Sequence, residues 1–192
     1  MVSSGLTVPV LIVIAFLVLG ILVLLSVTNG QRHRSELLRD KFGPEYTRTV
    51  ERVGDRREAE AELAARTKRV QELDIHSVSP QEISRFQRAW QDAQARFVDD
   101  PSGAVSEADR LITQLIQARG YPMGDFEQRA ADISVNYPNV VQNYRSAHEI
   151  ALRNERGQAS TEDLRQAMVY YRDLFKDLLA NQQPKPVEEV SR

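Results

Sequence analysis

The chain has no cysteine. That excludes disulfide bridges, thiolate metal sites and cysteine nucleophiles together, and it suits a reducing compartment. Histidine is scarce: His33, His76 and His148 are the full set. No HExxH or other paired spacing exists among them, so zinc has no ligand set to build on. The glycine-rich signatures of phosphate and dinucleotide sites are missing, as is the GxSxG turn of serine hydrolases. No stretch sustains the period-2 alternation of β-branched residues that strands require. Neither sign of charge dominates. With 25 Lys and Arg against 27 Asp and Glu, the formal net charge is -2, which leaves no electrostatic footprint for nucleic acid. No catalytic residue, metal ligand or cofactor is assigned from these patterns.

What is present first is one long apolar run, LTVPVLIVIAFLVLGILVLLSV, from Leu6 to Val27. As a helix its uncharged length of roughly 33 Å matches a bilayer core. MVSSG before it carries no charged side chain and SVTNGQ offers no A-x-A site, so the run reads as an uncleaved anchor rather than a signal peptide. Arg32, Arg34, Arg39 and Lys41 follow on its C-terminal side. The positive-inside rule then predicts a single-pass protein of the cell membrane, with its N-terminus outside and its C-terminal domain cytoplasmic. The same four basic residues can meet the headgroups of the lipid bilayer. Glu36, Asp40 and Glu45 dilute that patch, so setting topology is their first expected role.

Beyond the run the chain reads as amphipathic helices divided by short breaks. The predicted fold class is all-α: an N-terminal transmembrane helix over 6–27 after a short segment 1–5, a charged juxtamembrane helical connector over 28–78, and a compact antiparallel bundle over 79–180. The polar, proline-containing tail 181–192 is predicted disordered. In the connector, Gly43-Pro44 stops one helix and starts another. Tyr46, Val50 and Val53 give the second a shared face. A further helix from Arg56 carries a narrow stripe, Ala59, Leu63, Val70 and Leu73, which Arg66 interrupts. Ser79-Pro80-Gln81-Glu82 is a capping box, and Ile83, Phe86, Trp90, Ala93 and Phe97 follow at helical spacing. The next helix has the widest apolar face, from Ala104 to Ile116, which suggests the centre of the core.

Three sets of residues carry the functional expectations. Tyr121, Phe126 and Tyr137 lie at the glycine- and proline-rich joints and are candidates for a partner surface, against the plainer reading that they plug gaps between helices. Leu63, Val70 and Leu73 could pair between chains as a self-association seam, in the manner of a coiled coil. His148 reads as a boundary histidine rather than a ligand. Glu127 and Asp132, five apart on different helix faces, read as solvated charges rather than an acid/base pair. Asp99, Asp100, Glu107 and Asp109 near one helix start read as dipole complements rather than a cation site.

The strings RSELLRDKFGPEYTRTVERVGDRREAEAEL, LDIHSVSPQE, ARFVDDP, EADRLITQLIQARGYP, DFEQRAADISVNYP and STEDLRQAMVYYRDLF together resemble an uncharacterised family of actinobacterial-type, single-pass bacterial membrane proteins. The resemblance covers roughly Ser35 to Leu179. It implies no activity, substrate or catalytic residue. The expected function is a membrane-anchored, non-catalytic module for protein interaction or scaffolding, with an unidentified protein partner. The alternatives are a small-ligand binder or enzyme with a site assembled across the bundle helices, and a structural homo-oligomer joined through the connector.

Overall fold

The structure is a computed structural model, and it describes residues 33–180. Helical residues 33–42 are labelled α1. They are followed by α2 (Pro44–Val53), α3 (Arg56–Gln71), α4 (Pro80–Arg96), α5 (Pro101–Ala118), α6 (Phe126–Asn136), α7 (Val141–Glu155) and α8 (Thr161–Ala180). Among the described residues there is no strand, so the fold is all-helical.

One sequence expectation is corrected. Among the described residues no helix is long and apolar enough to cross a membrane, and the run Leu6–Val27 lies outside them. The physical reason is that the longest helices are amphipathic. α5 buries Ala104, Val105, Ala108, Leu111, Ile112, Leu115 and Ile116 but shows Arg110 and Gln117 to solvent. α8 likewise carries Arg165 and Lys176 on its outer side. The transmembrane helix in the fold class is not shown, and the single-pass assignment, N-terminus outside and C-terminal domain cytoplasmic, is set aside with it.

Helix boundaries follow from local chemistry. Ser79 and Glu82 cap α4 reciprocally: the Ser79 hydroxyl accepts from the Glu82 amide, and the Glu82 carboxylate accepts from the Ser79 amide. Each satisfies a backbone group that the helix leaves unpaired. Ser160 and Asp163 do the same at α8, at 2.9 and 3.1 Å. Single acceptors cap the others: Asp55 for α3, Asp100 for α5 and Asp125 for α6. Gly120 ends α5 in the left-handed region, with φ 88°. Here glycine is required twice over, because a Cβ would stand 2.1 Å from the Asp74 carbonyl oxygen.

The main core lies where α8 packs on α5 and α7, with α4 closing on α5 and α6 on α7. Phe86, Trp90, Ile112, Leu115, Ile133, Tyr144, Tyr171, Leu174 and Phe175 are buried in it. Trp90 stacks on Phe175 with centroids 4.8 Å apart. Each such side chain contributes on the order of 1.5–3 kcal/mol by leaving water. A second, smaller cluster joins Leu38, Phe42, Tyr46, Leu63 and Val70 from α1–α3 with Val135 of α6. Leu73 and Ile75, in the segment between α3 and α4, pack against both clusters. The segment read as a connector thus carries an apolar cluster of its own and lies against the bundle.

Candidate functional site

Two polar constellations stand out among the described residues, and both are assembled from distant parts of the chain. The first lies where α2 and α3 meet α6 and α7. Pro44 opens α2 and sets Glu45 in its first turn, yet the Glu45 side chain is only 1% exposed. Its Oε1 accepts from Arg66 Nη1 at 3.0 Å and from Arg145 Nη2 at 2.9 Å. Arg66 Nη2 reaches Glu62 at 2.5 Å, and Arg52 donates to that carboxylate too. Arg145 Nη1 donates to Glu127 at 2.6 Å. The series Arg52, Glu62, Arg66, Glu45, Arg145, Glu127 alternates in sign and sums to zero. Burial pushes the Glu62 carboxyl up, but its bonds to Arg52 and Arg66 outweigh this and hold it below the usual carboxylate range.

A second tie lies on the next turn of α3. Arg69 Nε and Nη2 both donate to Asp132 Oδ1, at 2.8 and 2.5 Å. Gln128, one turn before Asp132 on α6, donates to the same oxygen at 3.1 Å. Asp132 is buried, which corrects its reading as a solvated charge. Glu127, the other half of that pair, is 67% exposed and takes part through Arg145 alone. Tyr46 adds a partly buried contact within α2–α3, its hydroxyl donating to Glu60 at 2.7 Å.

The other constellation joins α5, α6, α7 and α8. The Tyr171 hydroxyl, itself buried, donates to Asp109 Oδ1 at 2.6 Å. His148 Nδ1 lies 3.5 Å from the same oxygen, at the limit of hydrogen-bonding range. Phe126 stacks on the imidazole, with centroids 3.7 Å apart and planes 11° from parallel. Arg129 Nε donates to the Tyr144 hydroxyl at 3.0 Å. Burial pushes the Asp109 carboxyl up, but His148 and the Tyr171 hydroxyl outweigh it and hold the group below its ordinary value. Burial first, then the Asp109 charge, raises the Tyr171 phenol. The side chains of Asp109 and His148 keep 31% and 20% exposure, but the His148 Nδ1 that faces the carboxylate is itself buried. Chemically they could orient a proton or hold a small polar group.

The residues singled out from sequence fare differently. Tyr121 and Tyr137 are buried in the main core and have no face left for a partner; Tyr121 OH accepts from Asn136 instead, at 2.7 Å. They lie at joints, but joints inside a bundle turn inward. Phe126 is half-buried, against Tyr144 and His148. Leu63 and Val70 are buried within the chain, with Leu73 partly so, so this seam is closed intramolecularly. Arg32 lies outside the described residues. Arg34 and Arg39 are exposed, Arg39 with its guanidinium 5.4 Å from the Tyr46 ring. Lys41 lies 5.8 Å from the Phe42 ring, and burial lowers its ammonium pKa.

Sequence reasoning placed Glu45 and Asp132 at the surface and did not single out Arg145, although all three are buried. The one available signal was Arg66, a cation at a position where the α3 stripe called for an apolar residue. Among the described residues no group of three or more His, Asp or Glu is placed to hold a metal ion. An open groove between α7 and α8 is lined by residues that include Ile150, Arg153, Asp163 and Tyr170, and His148 does not line it. Comparison with protein-family models, with curated proteins and with solved structures finds no match to this chain.

Proposed function

We propose that the protein is a helical module for protein interaction or scaffolding, with no reaction of its own. The observation that carries this reading is how its buried charges are used. Glu45, Arg66, Arg145 and Asp132 are buried, and each is turned on an opposite charge of another helix. Groups held this way fix the geometry between helices, whereas a reactive group must meet a substrate. Support also comes from the outer face of α4. Gln81, Arg85, Arg88, Gln91 and Asp92 are exposed there, and they offer a polar surface on a helix that the core holds firmly. The test is a photo-crosslinking residue at Arg88, with a second at Arg57 on α3 for comparison, in cells producing the full-length chain. One dominant product from one face supports the reading. A scatter of abundant proteins from both positions overturns it.

A second reading has its own observation. The Asp109 and His148 side chains, both partly exposed and backed by Tyr171, bring together the groups that a small-ligand or proton-handling site assembled across bundle helices would need. Under this reading a small-molecule screen yields a compound that shifts the His148 imidazole resonances and loses its effect in D109N. If D109N and H148Q change stability alone and no compound moves those resonances, the cluster is structural.

A further inference from the structure

The arm formed by α1–α3 and the bundle are joined in a way that differs from how each is held together. The arm has its own apolar cluster, Leu38, Phe42, Tyr46, Leu63 and Val70, to which the bundle contributes Val135. The bundle is closed by a much larger cluster running through α4–α8. Between the two, the principal bonds are charged: Glu45 to Arg145, and Arg69 to Asp132. Such pairs give a docked surface direction and register. They add little net stability when buried, because each ion gives up its hydration to form them and regains it on separation. Leaving one member buried alone is costly, but lifting both away into water is not.

Three buried polar atoms of the groups that tie arm to bundle, Glu45 Oε2, Asp132 Oδ2 and Arg145 Nε, have no hydrogen-bond partner, as is also true of His148 Nδ1 and Arg172 Nε within the bundle. Each of the first three gains bulk water when the arm lifts. The segment after α3, by contrast, stays with the bundle. The His76 amide donates to the Arg119 carbonyl at 3.1 Å, Val78 is buried in the main core, and Gly120 lets the Asp74 carbonyl approach closely. The free end of this attachment is the α3 terminus at Glu72.

We propose that α1–α3 is a docking arm that swings away from the bundle about the end of α3 while the bundle stays folded, with Glu45 and Asp132 as its two latches. This goes beyond the interaction reading and does not depend on it. Opening of this kind is a sub-global event, less costly than unfolding the main core.

The absence of native cysteine makes the test direct. V135C puts a thiol under the arm, and A147C puts one in the main core, where Ala147 is fully buried. Labelling by 5,5′-dithiobis(2-nitrobenzoic acid) is followed on the full-length chain without denaturant. The V135C thiol is expected to react at least about tenfold faster than the A147C thiol. Adding E45Q is expected to speed the first by a further factor of about ten and leave the second unchanged. R69Q removes the other latch at a side chain that is 40% exposed. It gives the same pattern even where E45Q fails to fold. Equal rates for the two thiols, or latch variants that speed both alike or neither, would overturn the arm.

Discussion

The Glu45 carboxylate meets the Arg145 guanidinium at 2.9 Å although the two residues stand 100 positions apart. Their side chains are 1% and 3% exposed. Removing one member of such a set leaves uncompensated charge in the interior. E45A is therefore expected to lose about 3–5 kcal/mol of unfolding free energy in urea. The triple change E45L, R66M, R145M replaces the ions by apolar groups of similar reach and should recover most of that loss. An E45A chain as stable as the parent would mean that the charges are hydrated in solution.

The single tryptophan offers a second test. Trp90 is 5% exposed and stacked on Phe175, so its fluorescence should be blue-shifted in the native state and move to the red on unfolding. F175A removes the stacking partner and leaves a cavity beside the indole. It should cost about 3–5 kcal/mol and red-shift the native emission. Unchanged emission would place Trp90 in a different environment.

Glycine positions separate strain from collision. Gly157 has φ 67° with open space where an alanine Cβ would stand, whereas the Cβ of an alanine at Gly120 would stand 2.1 Å from a backbone oxygen. G157A should cost about 1–2 kcal/mol, the penalty of a left-handed L-residue alone. G120A carries the same penalty and must also displace the segment that crosses it, so it should be clearly the more destabilised in thermal melts. Equal losses would show that the close approach at Asp74 is absent.

Stability should also fall in acid. Glu60, Glu62 and Asp109 are held below their ordinary values in the fold, in each case because bonds to neighbouring side chains outweigh the opposing effect of burial. A carboxyl depressed in the native state contributes stability that is complete above its unfolded pKa, about 4, and is lost as pH falls through the folded value. Urea midpoints should therefore be level near neutrality and drop below about pH 4. D109N should flatten part of that drop. A midpoint independent of pH down to 3 would contradict these bonds.

Legibility in the sequence tracked the range of the interaction. The caps at Asp55, Ser79, Asp125 and Ser160 lie within three residues of the amides they serve, and each is readable from a short string. The core faces of α4 and α5 follow from periodicity alone. Glu45, Asp132 and Arg145 were opaque because burial of a charge depends on which helix docks across it, and their charged partners on other helices lie 18 to 100 residues away. Arg66 was visible as an interruption, but nothing near it named Glu45. Tyr121 and Tyr137 misled for a related reason. Glycine and proline mark a change of direction, and they do not say whether the residue beside them turns toward water or toward the core.

The 100-position gap between Glu45 and Arg145 also has a consequence in time. Translation at ~5–20 residues per second puts roughly 5–20 s between the synthesis of the two side chains. Over that interval α2 and α3 can pair through Tyr46, Leu63 and their own ion pairs, but Glu45 has only Arg66 to meet. The arm is thus made well before it can be locked, and its closing waits on α7.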